Sequence, residues 1–119
     1  MLMRVLIADD RSRSRSGLRA LLAMKPDLTV VGEAADGQEA VDLVATVNPD
    51  VVLMDMRMPV MDGATATRQI KRLFPQIRVI ALSLYSEYED SALAAGAETF
   101  LLKGCSAETL FAAVHGGAR

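Results

Sequence analysis

A basic excess, paired cysteines, a catalytic histidine constellation and a long apolar run are all missing from this sequence, and each gap removes a class of function. Thirteen Lys and Arg stand against fifteen Asp and Glu, a net charge of −2. A chain that grips nucleic acid by itself needs a basic face to neutralise phosphates, so no direct nucleic-acid binding is expected. The single cysteine, Cys105, excludes an internal disulfide and a thiolate metal cluster and fits a reducing cytoplasm. His115, also alone, lies near the C-terminus, where a surface position is expected, and nothing resembles a Ser-His-Asp set. No apolar stretch approaches the ~18–20 residues of a membrane span, and residues 1–8 are too short for a secretory signal. A cytoplasmic setting away from the membrane follows.

What is present is an ordinary globular composition, 51% apolar and 24% charged over 119 residues, enough for one domain with one core. Short aliphatic runs alternate with helical patterns. Strands are expected at MRVLIA (3–8), LTVVGEA (28–34), DVVLMD (50–55), IRVIALS (77–83) and TFLLK (99–103). Most are continuously apolar, as in parallel strands covered on both faces. Helices are expected at about 11–24, 37–46, 63–73, 86–95 and 106–115. Asp36 with Glu39 forms a capping-box-like start, Ser106 an N-cap and Gly96 a C-cap. Pro26, Pro49 and Pro75 fall after helices, where the chain leaves the helical path. The pattern is a doubly wound α/β sandwich of five parallel strands and five helices, with no repeat, linker or second domain in residues 1–119.

In such sheets ligands bind beyond the carboxyl ends of the strands. Strand 1 ends in Asp9 and Asp10, strand 3 in Asp55, strand 4 in Ser83 and strand 5 in Lys103. Three carboxylates on one rim raise one another's pKa unless positive charge is supplied. A hard, oxygen-seeking ion such as Mg²⁺ suits them and keeps waters that a phosphate can replace. Lys103 adds a fixed positive charge and Ser83 a rotatable donor. The set suits a phosphoryl group taken by a carboxylate nucleophile.

At these residues the chain resembles the receiver domain of bacterial response regulators, the CheY-like, flavodoxin-like fold, over essentially its full length. The resemblance rests on Asp9-Asp10, on Asp55 in VVLMDMRMPVMDG, on Ser83 in VIALS and on Lys103 in FLLKG, with Pro59 and Gly63 four and eight residues beyond Asp55. It implies strand order 2-1-3-4-5 and Asp55 as phosphoacceptor, taking its phosphoryl group from a sensor histidine kinase. It implies Mg²⁺ held by Asp10 directly, by Asp9 through water, and by Asp55 and the backbone carbonyl of Arg57. Ser83 and Lys103 would contact the phosphoryl oxygens, and Phe100 occupies the family's switch-aromatic position. The wording of VVGEAADGQEAV and RVIALSLY is similar to the NarL/LuxR subfamily, whose full-length members end in a DNA-binding helix-turn-helix. No effector domain is expected in this chain, so it reads as a receiver fragment of a transcription regulator, with a stand-alone receiver as the alternative. Phosphorylation would favour a homodimer or release the effector; beyond phosphotransfer and its own dephosphorylation no enzyme activity is expected.

Two other classes fit less well. An Mg²⁺-dependent aspartyl phosphohydrolase usually has a general acid two residues after its nucleophile, where this chain has Arg57. A flavodoxin-like cofactor carrier would cradle phosphate in the loop where Asp9 and Asp10 would repel it. Three departures from the family pattern bear on the site: Gly104 follows Lys103 where many receivers have proline, Arg11 follows the acid pair, and bulky Leu84 follows Ser83. Arg57 and Tyr85 stand at positions that in this family tune phosphoryl lifetime.

The Arg-Ser alternation of residues 11–16 resembles a low-complexity arm only until it is wound at 100° per residue. Arg11, Arg15 and Arg19 then form one drifting stripe, expected as a partner-facing surface for the kinase. Ser12 and Ser16 lie further out, Arg13 points away, and Ser14 falls inward and should be substantially buried. Arg11 is expected to reach over the acidic rim and weaken Mg²⁺ binding.

Overall fold

The structure, a computed structural model, describes residues 2–116. Strands β1 (Met3–Ala8), β2 (Leu28–Ala34), β3 (Val51–Asp55), β4 (Arg78–Ser83) and β5 (Thr99–Leu102) alternate with helices α1 (Ser12–Leu22), α2 (Gly37–Val47), α3 (Gly63–Leu73), α4 (Glu89–Ala95) and α5 (Ala107–Val114). The strands form one parallel sheet in the order β2-β1-β3-β4-β5.

Alternation along each strand sorts the side chains into two cores. Val5, Ile7, Val51, Leu53, Ile80 and Leu82 face α1 and α5, where Leu22, Leu110 and Val114 meet them. Leu6, Ala8, Val52, Met54, Val79 and Ala81 face α2, α3 and α4, against Val44, Ile70 and Ala92. The central strand β3 is buried along its whole length, which is why its sequence is apolar without a break until Asp55.

The helix starts follow side-chain chemistry. Asp36 caps α2 by accepting from the Glu39 N–H at 2.8 Å, Asp62 caps α3 through Thr65 N–H at 2.8 Å, and Ser106 caps α5 through Thr109 N–H at 3.1 Å. Each satisfies a donor that the first turn leaves without an intrahelical partner. Helix α1 has no such cap, since Arg11 stands at its N-cap position. Gly96 closes α4 in the left-handed conformation.

Element order and topology match the expectation, and the ends move slightly. Strands 3 and 4 begin one residue later, strand 5 ends at Leu102, and helix 1 is shorter at both ends. The fourth helix begins as a 3-10 turn, Ser86–Tyr88, before α4 proper. Its first turn has no side-chain cap, which is why its start carries no sharp sequence signal.

Candidate phosphoryl and metal site

The parallel register aligns the carboxyl ends of the inner strands. Ala8 pairs with Met54 and Asp55 with Leu82, so the residues just beyond β1 and at the end of β3 emerge side by side. Lys103 joins them because its backbone N–H extends the ladder past β5 to the Ser83 carbonyl at 2.8 Å. The expected set converges: one carboxylate oxygen each from Asp9, Asp10 and Asp55 lies within 4.8 Å of the others. Asp9 and Asp55 are buried and Asp10 is open to solvent.

Lys103 is the cation among them. Its Nζ lies 2.8 Å from Asp9 Oδ2 and 3.4 Å from Asp55 Oδ2. Burial works to raise the Asp9 pKa, yet the bonds from Lys103, Ser14 and the Arg11 N–H outweigh it, and the net shift is downward. Burial dominates at Asp55 and, with the negative charges of Asp9 and Asp10, outweighs Lys103 to raise its pKa. A buried carboxylate with too little positive charge near it invites a cation. The donor set fits a hard one: carboxylate oxygens, one of them solvent-facing, with no thiolate or imidazole among them.

The cleft beside this cluster has a volume of about 700 Å³ and is lined by Asp10, Asp55, Arg57, Ser83, Tyr85 and Lys103 among others. Ser83 is buried, and its Oγ accepts the Tyr85 N–H at 3.1 Å. The Arg57 guanidinium lies 5.5 Å from the centre of the Tyr85 ring, a cation–π contact that joins the loops after β3 and β4 across the mouth. Leu84 is half exposed and also lines the cleft. Arg11 lines it too, and its N–H donates to Asp9 Oδ1 at 2.9 Å.

The loop after β3 is pinned at both ends. Met56 N–H bonds to the Leu82 carbonyl, and Gly63 N–H returns to the Met56 carbonyl at 3.0 Å. A Cβ on Gly63 would stand 2.1 Å from the Asp55 carbonyl oxygen, so only glycine lets α3 begin against the end of β3. Between them Pro59 and Val60 form a tight turn closed by Met61 N–H on the Pro59 carbonyl, with Val60 at φ 68°. After Lys103, Gly104 adopts φ 91° and no described peptide bond is cis, so the loop turns through a left-handed glycine where a proline is common. Phe100 is half buried against the core under α4 and does not line the cleft.

Three arrangements were not legible in the sequence. Ser14, expected to be substantially buried, is half buried, and its Oγ donates to Asp9 Oδ2 at 2.5 Å. Arg15 is half buried, donating to the Asp9 carbonyl at 2.7 Å and to Glu33 of β2. Arg19 pairs with the same Glu33 carboxylate. Two arginines of the expected partner-facing stripe are therefore engaged within the domain; that depends on how α1 lies over β2, which has no local signature. His115 is exposed, as expected, with Nε2 2.7 Å from Asp27.

Comparison with known proteins agrees with this geometry. The chain is 44% identical over 119 residues to the transcriptional regulatory protein YhcZ of Bacillus subtilis, covering 97% of this chain and 56% of that protein. It is 40% identical over 114 residues to the transcriptional regulatory protein DegU of Brevibacillus brevis, covering 94% and 48%. The chain thus spans about half the length of these relatives. The signal receiver domain of the putative response regulator NarL from Mycobacterium tuberculosis superposes with a TM-score of 0.86 at 34% identity, over 97% of this chain and 98% of that one. No helix among the described residues is long and apolar enough to cross a membrane. With the sequence model of the response regulator receiver domain matching residues 5–115, the chain belongs to that family, as a receiver domain of the NarL/LuxR type.

Proposed function

We propose that Asp55 is the phosphoacceptor of a Mg²⁺-dependent switch that answers a sensor histidine kinase in the cytoplasm. The observation that carries this reading is the convergence of three carboxylate oxygens within 4.8 Å, with Lys103 reaching both Asp9 and Asp55. An Asp55 carboxylate oxygen attacks the phosphorus of a phosphohistidine; the P–O bond forms, the P–N bond breaks, and the imidazole leaves with the electron pair and takes a proton. Asp9, Asp10, Asp55 and the Arg57 carbonyl would hold the ion. Mg²⁺, when bound, supplies positive charge to the oxygens on phosphorus as the group transfers. Lys103 neutralises the rest, and the Ser83 hydroxyl turns from the Tyr85 N–H toward a phosphoryl oxygen. The charge so added biases the loop after β4, and Phe100 with it.

The domain acts as a switch whose only chemistry is taking up and losing its own phosphoryl group. Its output belongs to a longer protein with a DNA-binding domain, through phosphorylation-dependent pairing of two copies or release of that domain. The relatives named as transcriptional regulators support this. Arg11 and Arg13, both exposed, leave the start of α1 basic toward a kinase. Beryllofluoride, an acyl-phosphate mimic, tests the acceptor. The wild type should bind it only with Mg²⁺, and Asp55→Ala should not bind it at all. Equal binding by the two proteins would remove Asp55 from its role.

A further inference from the structure

Helix α1 grips Asp9 from three sides within its first turn and a half. The Arg11 N–H takes Oδ1, the Ser14 hydroxyl takes Oδ2, and the Arg15 guanidinium takes the backbone carbonyl. Lys103 donates to the same Oδ2 at 2.8 Å, so that one oxygen has a donor fixed on a helix and another on the flexible stem of a lysine. A serine inside a helix commonly returns its proton to the carbonyl four residues back. Here the single O–H goes to Asp9 instead, at 2.5 Å, within the range of a hydroxyl bound to a carboxylate.

Granted the phosphoacceptor role of Asp55, we infer that Ser14 is a positioning residue that keeps Asp9 bound and oriented while Lys103 changes partner. Phosphoryl oxygens on Asp55 offer Lys103 a more highly charged acceptor than Asp9 does. When Lys103 turns to them, Asp9 loses its ammonium partner while only 1% exposed, and a buried carboxylate short of donors is costly. Ser14 remains on Oδ2 through the exchange, so the carboxylate stays aimed at Asp10 and Asp55. Without the hydroxyl, Asp9 would hold Lys103 back or swing away from the cluster. Both oppose the phosphorylated state more than the resting one, in which Lys103 itself satisfies Oδ2.

The test compares wild type, Ser14→Ala and Ser14→Thr by calorimetry, measuring Mg²⁺ binding alone and then beryllofluoride binding at saturating Mg²⁺. Alanine favours the helix, and circular dichroism checks that each variant is folded. Ser14→Ala should bind beryllofluoride about ten- to a hundredfold more weakly, the scale of one hydrogen bond to a charged group. Its Mg²⁺ affinity should fall by less, and Ser14→Thr, which keeps the hydroxyl, should restore beryllofluoride binding. The inference fails if Ser14→Ala matches wild type or binds more tightly. It fails equally if both affinities drop by the same factor, which is general loosening, or if Ser14→Thr is as weak as Ser14→Ala. A wild type that takes up no beryllofluoride overturns the phosphoacceptor reading and this inference together.

Discussion

Val60 holds a conformation that suits its neighbours better than itself. Its φ of 68° lies in the left-handed region, and it is 82% exposed, so no burial compensates a β-branched residue there. Val60→Gly should stabilise the domain by about 0.5–1 kcal/mol, the relief of left-handed strain less the added freedom of the unfolded chain. A higher urea midpoint with an unchanged slope would show it. Asp55 stores a second local cost, since its folded pKa is raised above the ordinary aspartate value of 3.8. An acid raised on folding binds more protons in the native state, so stability falls as pH climbs from 3.8 through the folded pKa, and the whole cost is present once the pH is above that folded value. Asp9 is the reverse case: its pKa is lowered, so its contribution is present above 3.8 and is lost as pH falls through the folded value. Asp55→Asn should therefore raise the Tm at pH 7, and the gain should vanish below 3.8, where both states carry the proton.

At the scale of elements, Arg78 joins three of them. From the first residue of β4 its guanidinium donates to the Ala113 and Val114 carbonyls at 2.6 and 2.8 Å and to Glu98, just before β5, at 2.8–2.9 Å. The last turn of α5 has no basic residue of its own, so its open carbonyls are closed from a strand. Arg78→Met should cost about 1–3 kcal/mol and speed hydrogen exchange over residues 110–116. Glu98→Gln should cost less, because that pair is partly solvated, with the Glu98 side chain 41% exposed. The elements themselves were readable wherever a chemical stop stood at their ends: Asp55 after an unbroken apolar run, Asp36 and Ser106 at helix starts, Gly96 at a helix end. The rim residues were readable because each terminates a strand. The contacts of Ser14, Arg15 and Arg19 were not, because they depend on the angle at which α1 crosses β1 and β2, and no pattern within α1 encodes that angle.

For the molecule as a whole, the Mg²⁺ binding proposed for the acidic rim would couple folding to the ion. Mg²⁺ near one hundred times its Kd should stabilise the native state by roughly 2.7 kcal/mol through mass action alone. Thermal melts with and without the ion should show a smaller increment for Asp55→Asn, which has one charge fewer to offer. The two cores described above never mix, since the sheet stands between them with one set of side chains on each face. That wall acts as insulation. A loosened packing contact under α1 or α5 is not felt under α2, α3 or α4 except through the strand backbone or around an edge. Asp9 is fastened to α1, while Asp55 is shut in by the start of α3 on the other face. The rim is thus a seam at which a shift in either half can reach the same cluster of carboxylates.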